Sequence, residues 1–170
     1  MIGKRKLLPS LVKSLIMDPK SPEFILDPPL HSLGFVFEEL SATRVSGRLT
    51  VTDKCCQPFK VLHGGVSALI AEGVASVGAG IASGYKRVAG IHLSIHHLRP
   101  AALGDSVFAE SFPVSAGKNI QVWEVRLWKT KKTENKKLVS TSRVTLFCGV
   151  PIPDHVKDAP DQVKKIVSKL

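Results

Sequence analysis

The residues of this chain best suited to acid–base or acyl-transfer chemistry are Gln57, His63, Gly64, Glu72 and Ser76, all within twenty positions of sequence. Glu72 sits in the apolar run 64–84, where Val66, Leu69, Ile70, Val74, Val77 and Ile81 recur at helical spacing. A carboxylate buried there is expensive unless it is paired or put to use. Glu72 and Ser76 are four apart and share a helix face. Gly64 stands where the helix must begin. The N–H groups of a first turn are unpaired and carry the positive end of the helix dipole. A carbonyl oxygen gaining negative charge would be stabilised there. His63 and Gln57 can donate or accept hydrogen bonds just ahead of it. Helix rise puts Glu72 about 12 Å along the axis from Gly64. A substrate can meet both only by lying alongside the helix, or if another subunit completes the site.

Each residue also has a plainer reading. Glu72 could pair with an arginine or cap a neighbouring strand. His63 taken alone fits a capping or packing histidine, and Ser76 alone means little on a face of small residues. Cys55, Cys56 and Cys148 are an odd set, two of them adjacent, which does not indicate a disulfide framework. None has an orienting partner nearby in sequence, so a nucleophilic role for Cys55 or Cys56 is the weaker reading. No His/Cys cluster has zinc-ligand spacing, and no metal is expected.

The elements that must position these residues follow from periodicity. Strand patterns run from Phe35 to Asp53, then the helix over 64–84 with a stop at Gly84. Four strand-like segments follow: Val88–Leu98, Ser106–Ser115, Ile120–Lys129 and Leu138–Gly149. Gly73, Ala75, Gly78 and Gly80 cost helix propensity but let strands approach closely. Two strands, one long helix and four strands make an α+β unit in which a curled antiparallel sheet covers the helix. A basic, proline-containing extension occupies 1–29, the domain 30–153 and a tail 154–170. Residues 1–17 hold no acid and read as a short basic amphipathic helix: a transit segment, a membrane-surface segment, or a helix resting on the domain. The chain's apolar runs fall short of the roughly 18–20 residues of a membrane span.

A net charge of +10 favours anionic partners. The basic residues fall in three places, the N-terminal segment, 129–137 and the tail, and only 6% of residues are aromatic. That distribution argues against nucleic acid. The phosphates of coenzyme A would account for part of the excess.

The stretch from Gln57 to Glu72, with its His63-Gly64-Gly65 helix start, resembles the corresponding motif of hotdog-fold acyl-CoA thioesterases of the 4-hydroxybenzoyl-CoA and phenylacetate-pathway type. Leu93–Ala101, containing His96-His97-Leu98-Arg99-Pro100, is similar to that family's Asn-His-Leu-Arg-Pro strand end, and Gly117-Lys118 followed by Gln121–Val125 is similar to its next hairpin. The resemblance covers about Leu30 to Pro153. It implies a sheet wrapped around one helix, a homodimer or homotetramer, and hydrolysis of an aromatic acyl-CoA without a cofactor, CoA being part of the substrate. It makes Glu72 the catalytic carboxylate, as nucleophile or general base, and Gly64 the N–H that polarises the thioester carbonyl. Gln57 and His63 flank the acyl group, and Ser76 assists one turn on. His97 faces the site from the other subunit. His96 stands where the family often has Asn. Arg99 and Lys118 are candidates for the CoA phosphates. The alternatives are a broader acyl-CoA thioesterase and a non-catalytic acyl-CoA- or protein-binding module. A hotdog dehydratase would need an Asp/His pair that is not found. Finally, Ser168-Lys169-Leu170 at a free C-terminus is the peroxisomal address. It implies an import receptor as partner.

Overall fold

The computed structural model describes residues 25–130 and 136–169. The basic N-terminal segment and Leu170 lie outside the described residues. The elements run α1 (Pro28–Ser32), β1 (Val36–Leu40), β2 (Val45–Thr50), α2 (Gly64–Ala82), β3 (Val88–His97), β4 (Ser106–Ala116), β5 (Ile120–Thr130), β6 (Lys137–Cys148) and α3 (Ala159–Val167). The two strands, helix and four strands expected from periodicity are all present. The short α1 and the tail helix α3 were not foreseen.

The strands form one antiparallel sheet in the order β1-β2-β4-β5-β6-β3. Alternation along them is that of a sheet with one covered face. On β5, Gln121, Trp123, Val125 and Leu127 are buried while Glu124 and Arg126 face outward, and on β6 Val144 and Leu146 are buried while Arg143 is exposed. The covered face curls around α2, which packs against β2 through β6.

Small residues make that curl possible. A Cβ on Gly78 would come within 2.5 Å of the ring of Trp123, which is fully buried and donates its indole N–H to Gln121 at 2.9 Å. The largest side chain of the core thus lies against bare helix backbone. The buried Ser111 hydroxyl donates toward the Val74 carbonyl at 3.3 Å, a polar tie between β4 and α2. With 19 residues and a mean hydropathy of 1.5, α2 is long and apolar enough to cross a bilayer, contrary to the shorter apolar run read from the sequence. Here Ile70, Ala71, Val74, Ala75 and Ala79 of that helix are fully buried in the core beneath the sheet.

The two glycines on this helix should respond oppositely to substitution. Gly78→Ala drives a methyl into Trp123, and overpacking of that kind costs about 1–3 kcal/mol, only partly offset by about 1 kcal/mol of helix propensity. At Gly80 the nearest atom to an added methyl is the Lys86 carbonyl at 3.7 Å, an ordinary contact. Thermal unfolding should therefore show a lower Tm for Gly78→Ala and an equal or higher Tm for Gly80→Ala. The reverse order would disprove this packing.

Candidate active site

The start of α2 gathers one group of the expected residues. His63 is the N-cap, with extended backbone, and its Nδ1 accepts the Gly65 N–H at 2.9 Å. The plain capping role is therefore real, and it leaves the proton on Nε2, which is free to donate. The Gly64 N–H takes no acceptor among the described residues. Gln57 uses its side-chain oxygen to accept the Phe59 N–H at 2.8 Å, so its amide –NH2 remains available as a donor. Gln57, Gly64, Ser67, His97, Arg99 and Val139 line a cavity of about 320 Å³. His97 reaches it from the end of β3. A Cβ on Gly64 would sit 3.2 Å from His97 Nε2, a tight contact, so glycine lets this ring lie close against the helix start. Within one chain His97 is thus a neighbour of Gly64, and what it is separated from is Glu72. Arg99 donates to the Leu138 carbonyl at 3.2 Å and stays exposed.

Two turns further along α2, Glu72 and Ser76 make the second group. Ser76 donates its hydroxyl to Glu72 Oε1 at 2.9 Å. Glu72 is half-buried, and no Arg or Lys pairs with it among the described residues. The structural alternative, a carboxylate neutralised by arginine, does not hold there. Oε2 has no partner among the described residues, and Glu72 lines a cavity of about 430 Å³.

Gly90 on β3 seats this carboxylate, and the sequence reading missed it. A Cβ there would fall 2.8 Å from Glu72 Oε1. The bulge that follows has Gly90 paired with Leu146 and His92 with Thr145, so Ile91 is the extra residue. Strand side chains alternate between faces, and Gly90 and His97 are seven positions apart. Without the bulge they would point to opposite sides. With it, both face the helix.

Lys118 joins neither group. It lies exposed in the β4–β5 turn, where Asn119 accepts the Cys148 N–H at 2.8 Å. That is the sheet end of Val88, opposite the end that holds His97 and Arg99. Neither Cys56 nor Cys148 is activated. Burial, then the neighbouring Cys55 and Asp53, push the Cys56 thiol up, and burial raises that of Cys148. Both stay protonated at neutral pH, where a nucleophile would need the thiolate.

Gly90→Ala should leave the fold intact, since the flexible Glu72 side chain can retreat from the added methyl. Displacing a reacting group by about 1 Å can cost on the order of 10²-fold in rate. Turnover should fall by roughly 10- to 100-fold with little change in Tm. Unchanged kcat would show that Gly90 does not fix the carboxylate.

Comparison with known proteins agrees with this arrangement. The model of the family described as Thioesterase superfamily matches residues 59–136. The chain is 83% identical over 157 residues to the 1,4-dihydroxy-2-naphthoyl-CoA thioesterase 2 of Arabidopsis thaliana, across 91% of this chain and 100% of that protein. It is 39% identical over 117 residues to a 1,4-dihydroxy-2-naphthoyl-CoA hydrolase of Listeria monocytogenes, covering 68% of this chain and 91% of that one. The crystal structure of a thioesterase from Haemophilus influenzae superposes with a TM-score of 0.65 at 32% identity, over 75% of this chain and 86% of that one. With a sheet wrapped around one helix, a carboxylate in mid-helix and relatives of this closeness, the chain belongs to the thioesterase superfamily and has its hotdog fold.

Proposed function

We propose that this protein hydrolyses an aromatic acyl-CoA, with 1,4-dihydroxy-2-naphthoyl-CoA as substrate and phylloquinone biosynthesis as its setting. The observation that carries the reading is Glu72, a half-buried carboxylate held by Ser76, unpaired with any cation among the described residues and open to a cavity. The 83% identity to the Arabidopsis thioesterase supports the choice of acyl group. Either Glu72 takes a proton from water as the water adds to the thioester carbonyl, or its Oε2 adds first and water then opens the acyl–enzyme anhydride. In both routes the C–S bond breaks, CoA leaves as the thiolate and takes up a proton, and the free acid is released. The Gly64 N–H polarises the carbonyl oxygen, Gln57 and His63 hold the acyl group in place, and His97 flanks it. Arg99 receives the CoA phosphates together with Lys118 of the other copy, since the two lie at opposite ends of β3 within one chain.

A single chain does not complete such a site. Reacting atoms must approach to about 3–3.5 Å, whereas Gly64 and Glu72 lie about 12 Å apart along α2. β3 supplies the remedy. It is a ten-residue edge strand with Ile91 58% exposed and Leu98 49% exposed beside it. A strand edge of that length is a template for another strand. Antiparallel pairing of two β3 strands about their midpoints would bring the His97 end of one copy beside the Gly90 end of the other. The Gly64 group of each chain would then face the Glu72 group of its partner. We therefore read the active form as a homodimer with two composite sites, doubled to a tetramer, and the C-terminal Ser168-Lys169-Leu170 as its route into peroxisomes. Ser168 and Lys169 lie exposed beyond α3.

Glu72→Gln should lose about 10²–10⁴-fold in kcat, the range of general-base catalysis, with its fold kept. Release of CoA thiol from aryl-CoA measures it, and near-normal kcat would refute the mechanism. Mixing inactive Glu72→Gln with inactive His97→Ala subunits should restore activity, because one site of each mixed dimer is whole. Verified mixed dimers that stay inactive would rule out shared sites. A reporter fused to the tail should enter peroxisomes and stay cytosolic once the final three residues are removed. Import of the truncated fusion would show that the address lies elsewhere.

A further inference from the structure

The cavity at Glu72 is bounded by more than the hotdog unit. On one side lie Glu72, Ser76 and Val77 of α2, and on the other Ala159, Pro160 and Val163 of the tail helix α3. We propose that α3 is the far wall of the acyl pocket and sets its preference for bulky, flat, apolar acyl groups. This rests on the thioesterase reading above and extends it to a segment beyond residue 136, where the match to the family model ends.

The helix is built for the position. Pro160 occupies its first turn, where the missing N–H is no loss. Ala159, Val163 and then Ile166 and Val167 recur at helical spacing, forming a single apolar stripe. Its first half lines the cavity and its second half packs against the core cluster, while Asp161, Lys164 and Lys165 point to solvent. The approach to α3 is pinned as well. The Gly149 and Val150 N–H groups donate to the Arg87 carbonyl at 2.9 and 3.1 Å, and the Arg87 guanidinium donates to the Pro151 carbonyl at 2.6 Å. The wall is therefore fixed to the start of β3, the strand that also carries Gly90. Depth is the consequence. An acyl group whose carbonyl lies at Glu72 extends its hydrocarbon toward Val163 and Pro160. A two-ring aromatic acyl group gains contact with that wall, and a two-carbon acyl group does not reach it.

The test uses the full chain and three thioesters of rising size: acetyl-CoA, benzoyl-CoA and 2-naphthoyl-CoA. Val163→Trp fills the far end of the cavity. The ratio of kcat/KM for 2-naphthoyl-CoA to that for acetyl-CoA should fall tenfold or more, on the scale by which apolar pockets discriminate. Lys165→Ala, on the solvent side of α3, should leave the ratio unchanged. Calorimetric binding of free 2-naphthoate to both proteins reads the wall without turnover, and the affinity should fall tenfold or more in Val163→Trp. If the native chain binds 2-naphthoate and loses it in the variant but hydrolyses none of the thioesters, the wall stands and the thioesterase reading falls. If Val163→Trp keeps both the ratio and the naphthoate affinity within twofold, or if the native chain does not bind 2-naphthoate, the wall is overturned.

Discussion

The contact on which the rest of the structure depends is that of Trp123 with the bare backbone of α2 at Gly78. A sheet can wrap a helix only if the two come closer than ordinary side chains allow, and here the approach is made by placing the largest core residue opposite the smallest. The indole N–H, buried with it, is satisfied by Gln121 from the same strand. Once α2 is held at that depth, its sides are no longer equivalent. The side bearing Ile70, Val74 and Ala75 is committed to the core. Glu72 and Ser76 fall toward the margin, where a carboxylate can be half-buried and still meet a cavity. The helix start is left at the rim, so the Gly64 N–H remains open.

β3 carries the second constraint. It is an edge strand, so one side of its backbone hydrogen bonding is unused, and it touches both halves of the site: Gly90 at Glu72 and His97 at Gly64. The period of a strand would separate those two residues onto opposite faces. One extra residue, Ile91, corrects the parity. The bulge is therefore no irregularity of the edge. It lets a single strand meet the carboxylate of α2 at one end and the start of the same helix at the other.

Much of this was legible because it lies in local periodicity. The apolar spacing from Val66 to Ile81 marks α2, and a lone carboxylate inside it marks Glu72. The β-branched segments mark the last four strands to within a residue or two, and the first two only as a strand pattern between Phe35 and Asp53. What could not be read depends on pairing between distant residues. The sequence 88–97 reads as one strand, and nothing local says that Ile91 is skipped by β6. Gly90 has no signal of its own, since its meaning is the distance to a side chain eighteen positions earlier in the sequence. The neighbourhood of His97 and Gly64 likewise follows from strand order. The tail helix is a different case. Pro160, Val163, Ile166 and Val167 do carry a helical pattern, but over nine residues rich in charge that pattern is weak, and tertiary burial decides it.

The glutamates among the described residues divide into two kinds by the company they keep. On the outer face of the sheet Glu38 meets Arg48, Glu39 and Glu110 meet Arg44, and Glu124 meets both Arg126 and Arg143. The hydrogen bond from Arg44 to Glu110 raises the arginine's pKa further, against some loss from burial. Such exposed pairs contribute little stability each, but they fix every one of those carboxylates in a neutralised arrangement. Glu72 is held instead by a hydroxyl. A serine orients one oxygen without cancelling the charge, and leaves the other to whatever enters the cavity. A guanidinium in that place would lower the basicity and nucleophilicity of the carboxylate and occupy the oxygen that Ser76 leaves open. Among the described glutamates Glu72 is the one without an arginine beside it, in a chain with ten more cations than anions, and this is what supports the catalytic reading of it.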